Sequence, residues 1–474
     1  MLITNRYFVL NYFPKYFTNK AITLYICVLV LCNIVFFIHA LPIMFWIFGI
    51  VEVLCFFYFS NIITRKWSEY SLRKFSRNLF LTAFIVRIIW VIFSYFFYNV
   101  FNGQPFEFDA ADALNYHDQG LWVAQLINEG SLQLFVKSIR GGYSDMGYPF
   151  YLGCQYWFTD GSILIARFLK AIYGAYTCVL IYRFAKNNFG EEVGRIASIF
   201  CMLMPNLILY TGMHLKETEM ILLIVWFIER SDFLLRGKKF NFINIAPPIM
   251  LALSLFFLRT VLGAAAIFAL FTALLFSSNH VLNLGKRTVL VVWMVGTVGF
   301  FIGGRVATEV EAVWAARSTN QEKGEISKVK ANKLSKYASG AVFAPLIFVI
   351  PFPTMVDSPG QRNQKLIHGG NYVKNIMAFF VIFAFYWILK NKKWRDYLLL
   401  EAFTLGYLLV IAMSTFAESE RFHLPAVPFL MIFAAFGISK ITNKEKKYFK
   451  WYLVFIFLAV VGWNWFKLAG RGLI

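Results

Sequence analysis

The sequence predicts an all-α polytopic membrane protein with about thirteen transmembrane helices, and three observations lead to this fold class. Hydrophobic residues make up 59% of the 474 residues, whereas 15% are charged. Soluble domains contain about a quarter charged residues and under half apolar ones. The apolar residues gather in long runs, and basic residues gather between these runs. Despite a formal net charge of +21, this composition excludes a disordered chain, a coiled coil, a disulfide scaffold and a soluble nucleic-acid-binding protein.

Each transmembrane element is predicted from a run of mainly apolar residues, because a spanning helix needs roughly 17–25 of them. A shorter apolar piece, 341–353, contains Pro345, Pro351 and Pro353 and is predicted to be a re-entrant or interfacial segment. The predicted spans are 21–39, 41–60, 79–100, 163–182, 194–212, 217–235, 243–258, 261–278, 287–304, 373–390, 397–416, 423–439 and 450–468.

The basic residues predict the orientation of these spans. With the N-terminus on the inner side, 26 of the 46 basic residues fall in short inner segments, as the positive-inside rule requires. If 341–353 were a full span, the basic residues at 390–395 would lie outside, so the charges also favour a re-entrant segment. We therefore predict a multi-pass membrane protein whose N-terminus lies inside and whose C-terminus lies outside.

This topology divides the chain into three parts. Residues 1–304 form an N-terminal transmembrane module with a large external loop at 101–162, and residues 373–474 form the C-terminal transmembrane helices. Between them, 305–372 is an external basic segment that contains the re-entrant piece. The inner segments are short and carry no nucleotide-binding loop, so any chemistry is predicted on the external face without ATP.

The first external loop concentrates acidic residues beside the membrane surface, Asp109 and Asp112 among them. Asp112 and Tyr116 share one face if this part is helical, because they are four residues apart. The apolar positions from residue 113 to 127 suit a helix that lies along the membrane interface. A solvated acidic loop with an amphipathic cover helix is the alternative interpretation.

Several charged residues elsewhere on the predicted outer face are further candidates. Lys216 and Glu217 stand at the start of a predicted helix, where Glu217 either faces the same outer cavity as the acidic loop or stabilises the helix dipole. Arg259 interrupts a long apolar run, which makes it a functional candidate or a side chain that reaches the headgroups. Arg421 and His423 precede a proline-containing span, and Arg421 could bind a phosphate through paired hydrogen bonds.

Two stretches of the first external loop resemble a known protein family. DALNYHDQGLWVAQLINEG followed by GGYSDMGYPFYLGCQYWF is similar to the first external loop of polytopic glycosyltransferases of the GT-C fold, relatives of the protein O-mannosyltransferases and aminoarabinose transferases. The shared pattern is an Asp, three residues, Tyr-His, a small residue and then a Gly-Tyr-Pro turn. The resemblance covers 79–270 and, more loosely, 397–440, whereas the hairpin at 21–60 and the segment 305–372 depart from the family pattern.

The resemblance implies transfer of a sugar from a polyprenyl-phosphate-type donor to a glycan, lipid or protein acceptor. Such enzymes work on the external, periplasmic face of the bacterial cytoplasmic (inner) membrane. Inverting transfer needs a carboxylate that accepts the acceptor's proton and cations that stabilise the departing lipid phosphate. By motif position Asp112 is the implied base, with Asp109 second and Glu217 as supporting acid. The residues implied to bind substrate are Tyr116, His117, Lys216, Arg259, Arg421 and His423.

The sequence leaves open whether a divalent cation is needed and what role the segment 305–372 has. Some GT-C enzymes need a divalent cation and others do not, and Asp109 with Asp112 does not decide between them. No cysteine pair has metal-binding spacing on a polar segment, so we predict no structural metal. The basic residues of 305–372 indicate either a mobile cover over an anionic headgroup or glycan, or an ordinary external loop.

Two other functional classes compete with this prediction. An outer-leaflet glycan polymerase or ligase would use a polyprenyl-diphosphate-linked glycan and would rely on external Arg and His. A transporter or flippase would carry paired charges or broken helices near the membrane midplane, often with internal repeats. The sequence shows a lone Arg87 inside the third span, for which we predict a structural role, and no clear repeat.

Overall fold

The computed structural model describes residues 11–139, 146–236, 242–276, 344–414 and 417–473. Within these ranges the chain forms helices and the segments that connect them. The extended pairing described there is an isolated bridge between Ala40 and Val356. The prediction of an all-α protein is therefore confirmed for the described part of the chain.

Most neighbouring helices are joined by short connections, whereas residues 277–361 separate α12 from α13, and 277–343 lie outside the described residues. They are α1 (Lys15–Val35), α2 (Ile43–Trp67), α3 (Leu72–Asn102), α4 (Ala111–Asn128), α5 (Gln133–Ser138), α6 (Gly147–Thr159), α7 (Ile163–Phe189), α8 (Glu191–Leu203), α9 (Pro205–Leu209), α10 (Glu217–Arg236), α11 (Phe242–Leu258), α12 (Thr260–Phe276), α13 (Arg362–Leu366), α14 (His368–Lys390), α15 (Leu398–Ala412), α16 (Glu420–His423), α17 (Val427–Lys440) and α18 (Lys446–Ala469).

Seven of the described helical stretches are long and apolar enough to cross a membrane. They are α1, α2, α3, α7, α14, the continuous stretch from α16 through α17, and α18. The pair α8 and α9 makes an eighth if it counts as one span, and shorter apolar helices occur at α11, α12 and α15. The chain is thus a multi-pass membrane protein by length and composition. The predicted span 217–235 (α10) is not among these helices, and 287–304 lies outside the described residues, so the total of thirteen stays a prediction.

The predicted span 194–212 is not a straight helix, because the chain bends by 55° between α8 and α9. Pro205 follows the bend and has no N–H to donate to the carbonyl of Cys201, which breaks the helical hydrogen-bond pattern. The buried Arg87 guanidinium donates to the Cys201 carbonyl at 3.3 Å and to the Met202 carbonyl at 3.5 Å. Its contacts are those of a structural residue, as the sequence predicts.

The described part of the predicted re-entrant segment, 344–353, is not a spanning helix and lies largely buried against α14 and α18. Backbone outside a helix needs hydrogen-bond partners inside a membrane protein. Two buried amides supply them: Asn375 donates to the Pro351 carbonyl at 3.1 Å and Asn464 donates to the Pro353 carbonyl at 3.2 Å. The need to provide these backbone carbonyls with hydrogen-bond donors accounts for the two polar asparagines in otherwise apolar helices.

The connections that carry the predicted inner basic residues meet at one end of the bundle, which we call the basic end. The Arg195 guanidinium at the start of α8 donates to the Trp67 and Tyr70 carbonyls between α2 and α3, at 2.7 Å each. The Phe189 ring at the end of α7 stacks on Tyr397 before α15, with 4.4 Å between centroids. The positively charged connections thus gather together in space as well as by sequence pattern.

The connections predicted to be external meet at the opposite end, which we call the site end. His39 after α1 lies 3.3 Å from the Leu473 carbonyl after α18, and it accepts the Asp357 N–H at 2.8 Å through its own carbonyl. The Asn363 amide of α13 donates to the Phe108 carbonyl in the large loop before α4. The large loop therefore rests on the segment that precedes α14.

Helices from the two predicted transmembrane modules pack against each other, α14 on α2 and α17 on α8, for example. Within the C-terminal module, α17 packs closely against α14 at Gly437, where a β-carbon would clash with the Phe380 carbonyl oxygen. Small residues allow such close helix crossings in membrane proteins. No side chain fits at Gly437 without moving one of the two helices.

We therefore predict that Gly437→Ala lowers the thermal unfolding midpoint of the detergent-solubilised protein by several degrees. The extra methyl group meets main chain rather than a movable side chain, and overpacking of this kind costs about 1–3 kcal/mol. Gly462→Ala on α18 is the matched control, because nothing lies within 4 Å of its β-carbon position. Equal midpoints for the two variants would contradict the proposed crossing.

Candidate functional site

Two carboxylates and two arginines meet at the site end and form what we call the ion cluster, defined as Asp112, Glu217, Arg259 and Arg421. Arg421 donates from Nη1 to Asp112 Oδ2 and from Nε to Glu217 Oε1. Arg259 Nη2 donates to the same Glu217 oxygen at 3.3 Å. The structure therefore joins four residues that the sequence predicts as site residues and that lie in four separate parts of the chain.

The ion cluster extends from the protein interior to the surface. The Glu217 side chain has 0% exposure, the arginines have 12% (Arg259) and 18% (Arg421), and the Asp112 side chain has 59%. A buried carboxylate is stable as an ion when close cations and hydrogen bonds compensate for its lost hydration. Glu217 is accordingly the fixed centre of the cluster, and Asp112 is the member that solvent or a substrate reaches.

Helix ends place the charged groups of the cluster. Asp112 lies in the first turn of α4 and Glu217 is the first residue of α10, where the helix dipole favours negative charge. Arg259 occupies the break between α11 and α12, and its guanidinium lies over the Phe422 ring, 4.5 Å from the centroid. The charge that interrupts the apolar run at Arg259 therefore coincides with a break between two helices, and this break faces the ion cluster.

Lys216 lies beside the ion cluster and is 2% exposed. Its Nζ donates to the Leu258 carbonyl at 2.7 Å and lies 5.8 Å from the centre of the Tyr116 ring. Burial, followed by the positive charge of Arg259, lowers the pKa of Lys216 to about 7. Lys216 is therefore a cation whose charge changes close to neutral pH, next to permanently charged guanidinium groups.

Tyr116 packs on the inner face of α4, one helical turn from Asp112, as the spacing predicts. Burial, followed by the negative charge of Glu217, raises the pKa of Tyr116 to about 12, so its hydroxyl stays protonated. Its ring meets Tyr148 of α6 edge-on, with 5.0 Å between centroids. Tyr116 thus anchors α4 while Asp112 on the same face reaches the arginine.

A chain of hydrogen bonds links the large loop to the bundle beside the cluster. His117 Nδ1 lies 2.8 Å from the Tyr156 hydroxyl, which lies 2.9 Å from His214 Nε2. The backbone N–H of His214 donates to Glu107 Oε2 at 3.1 Å. Burial lowers the pKa of His117 and of His214, so both imidazoles favour the neutral form. His117 therefore holds α4 against α6 and the loop before α10.

Three further charged residues beside this chain escaped the sequence predictions. Lys170 of α7 is fully buried, lies 3.6 Å from Glu219 and donates to the Met213 carbonyl at 3.1 Å. Arg167, also on α7, donates to the Pro105 carbonyl in the large loop. Arg167 and Lys170 interrupt the apolar run 163–182, and charge inside a span is a sequence signal of a functional or anchoring residue.

Besides Tyr116, His117 and Lys216, which lie beside the ion cluster, two further predicted site residues, Asp109 and His423, lie outside it. Asp109 is exposed at a backbone φ of 53° and has no ion-pair partner within the described residues. His423 is 1% exposed, and its Nε2 lies 3.0 Å from the Ala417 carbonyl. Their predicted roles, as second base and as substrate ligand, stay predictions.

Two other predictions concern the basic segment 305–372 and metal binding, and the structure describes only part of the chain that bears on them. The basic part of 305–372 lies outside the described residues up to position 343, so its predicted role as a cover stays a prediction. Across the described ranges, no group of three or more His, Cys, Asp and Glu residues is arranged to hold a metal ion.

Chemically, the ion cluster combines a proton acceptor with an anion site. The Asp112 carboxylate is accessible, and guanidinium groups carry fixed forks of N–H donors that suit phosphate oxygens. Comparisons with known proteins add no assignment: no protein-family model matches the chain, and no curated protein matches it.

Burial of Lys216 predicts a pH dependence of stability. Between its folded pKa of about 7 and its ordinary value of 10.5, the unfolded chain holds this proton more often than the folded protein does. The free energy of unfolding contributed by Lys216 should therefore rise with pH in this window, by up to about 1.4 kcal/mol per pH unit.

Thermal unfolding midpoints of the wild type and of Lys216→Met, measured from pH 7 to 10, test this. We expect the unfolding midpoint of the wild type to increase relative to that of Lys216→Met as the pH rises. Lys444→Met, at an exposed lysine, is the control and should follow the wild-type curve. Parallel curves for wild type and Lys216→Met would show that the lysine is not held neutral by burial.

Proposed function

We propose that the chain is a membrane glycosyltransferase that moves a sugar from a polyprenyl-phosphate-type lipid donor to a glycan, lipid or protein acceptor. The observation that carries this proposal is the ion cluster, in which two guanidinium groups bond to the buried Glu217 and one of them also bonds to the exposed Asp112 carboxylate. Sugar transfer from a lipid phosphate needs this combination, a base for the acceptor and cations for the leaving group.

In the proposed reaction the acceptor hydroxyl oxygen attacks the anomeric carbon of the sugar and inverts its configuration. Asp112 accepts the hydroxyl proton while the bond between the anomeric carbon and the phosphate oxygen breaks. That oxygen leaves with the lipid phosphate, whose negative charge increases by one. Arg421 and Arg259 are positioned to stabilise the added charge through charge-assisted hydrogen bonds.

Glu217 has a supporting role in this proposal. Its Oε1 accepts hydrogen bonds from both arginines. This shared carboxylate oxygen holds the two positively charged guanidinium groups next to each other. Its second oxygen, Oε2, has no hydrogen-bond partner among the described residues. Because Glu217 is fully buried, it orients the cations without itself meeting the acceptor. Lys216 adds a titratable positive charge next to Glu217 and Tyr116.

The proposal places the basic end on the inner side of a bacterial cytoplasmic membrane and the site end on the external, periplasmic side. The distribution of Lys and Arg supports this orientation through the positive-inside rule. The site end also carries α4 and α6 with exposed aromatic side chains such as Trp122 and Trp157, which suit a membrane interface. A lipid donor would then reach the ion cluster from the outer leaflet.

The nearest competing function is an outer-leaflet glycan polymerase or ligase. It would use the same arginines but would release a lipid diphosphate and would not depend on Asp112 as a base. A flippase would leave the lipid-linked sugar chemically unchanged. The lipid released during turnover therefore distinguishes the three functions by its mass.

We expect Asp112→Asn to lower sugar transfer by about 10²–10⁴-fold, because the amide cannot accept the hydroxyl proton. The assay combines purified protein in liposomes, lipid-linked sugars extracted from a strain that lacks the chain, and an acceptor-containing envelope fraction from the same strain. Mass spectrometry follows the appearance of sugar-free polyprenyl monophosphate.

Asp118→Asn is the matched control, because Asp118 is an exposed acid on the same helix and lies outside the ion cluster. It should retain wild-type turnover. Full turnover by a folded Asp112→Asn protein would overturn the assignment of the base, and release of a lipid diphosphate would favour the polymerase or ligase.

A further inference from the structure

Arg421 is shared between two carboxylates in very different surroundings. Its Nε bonds to Glu217, whose side chain has 0% exposure, and its Nη1 bonds to Asp112, whose side chain has 59% exposure. Both contacts occupy one guanidinium, which has five N–H groups in a fixed plane. A new anion at the surface would meet the Nη edge of Arg421 at the place where Asp112 now bonds.

The two ion pairs differ in how easily they break. Separation of Arg421 from Glu217 would leave a buried carboxylate with less compensation, which is strongly unfavourable. Separation from Asp112 leaves a carboxylate that water hydrates, and solvent-exposed ion pairs contribute little to stability. The Asp112 contact is therefore the exchangeable one, and the Glu217 contact holds the guanidinium in place during an exchange.

We propose that the donor's lipid phosphate displaces Asp112 from Arg421, so that binding of the donor itself frees the catalytic carboxylate. This inference rests on the proposed function, which supplies the identity of the anion. In the exchange, the Arg421–Asp112 contact breaks, a contact between Arg421 and a phosphate oxygen forms, and the contact with Glu217 persists. No covalent bond changes in this step.

The exchange orders the events of the reaction. In this structure the Arg421 N–H bonds to Asp112 Oδ2, so that oxygen is not open to an acceptor hydroxyl. With donor bound, both carboxylate oxygens become available to an acceptor hydroxyl next to the phosphate. The acceptor is therefore activated only after the donor is in place.

Binding of a probe lipid tests the exchange without any turnover. The probe is undecaprenyl phosphate, and native mass spectrometry of the purified protein in detergent measures its affinity. We expect Asp112→Asn to bind the probe about three- to tenfold more tightly than the wild type, because the phosphate no longer competes with a carboxylate for Arg421. Asp118→Asn should bind like the wild type.

The same substitution in an Arg421→Met background separates exchange from simple charge repulsion. If Arg421 mediates the effect, Asp112→Asn should change the affinity of the Arg421→Met protein little, and the double-mutant cycle should show coupling. Arg421→Lys serves as a second background if the methionine variant does not fold, since it keeps the charge without the fork of N–H donors.

Each outcome either supports or overturns the proposed exchange at Arg421. Unchanged or weaker binding by Asp112→Asn overturns the exchange, and so does an equal gain in both backgrounds, which repulsion alone would produce. Neutral polyprenol and inorganic phosphate are tested alongside, to separate recognition of the lipid chain from recognition of a free anion. If the wild type binds the phosphorylated lipid no better than polyprenol, the proposed function itself fails.

Discussion

The pairing of the buried Glu217 carboxylate with two guanidinium groups is the interaction on which the rest of the site depends. Glu217 begins α10, Arg259 lies between α11 and α12, and Arg421 lies on α16, so one carboxylate fixes three elements at the site end. Loss of one partner of a buried ion pair costs about 3–5 kcal/mol, because a charge is left without compensation. The arrangement that would bind a lipid phosphate is therefore also part of what holds the helix bundle together.

The same constraint, that polar groups inside a membrane protein need partners, accounts for features away from the site. Arg87 meets carbonyls freed by the bend before Pro205, and Asn375 and Asn464 meet the backbone of the segment before α14. In each case the backbone departs from a helix and a polar side chain from a neighbouring helix satisfies it. The irregular segments can then lie within the bundle, beside the helices that carry the ion cluster.

Local sequence patterns predicted the features that depend on local structure. Hydropathy located the long apolar helices, and the spacing of Asp112 and Tyr116 predicted their shared face on α4. Arg259 marked a real break between two helices because a charge interrupts an apolar run. The contact between Arg421 and Asp112 joins residues 309 positions apart, and no local pattern encodes it. The contacts of Tyr156, Arg167 and Lys170 are likewise not encoded locally, since their partners lie on other elements, although the charges of Arg167 and Lys170 interrupt an apolar run.

We propose that the ion cluster holds the phosphate of a polyprenyl-linked donor. Electron cryomicroscopy of the protein in nanodiscs that contain undecaprenyl phosphate tests this most directly. We expect elongated lipid density that enters between helices at the site end, with the phosphate within hydrogen-bond distance of Arg421 or Arg259 and close to Asp112. Phosphate density at another place, with Asp112 and Arg421 still paired, would contradict the proposed phosphate site.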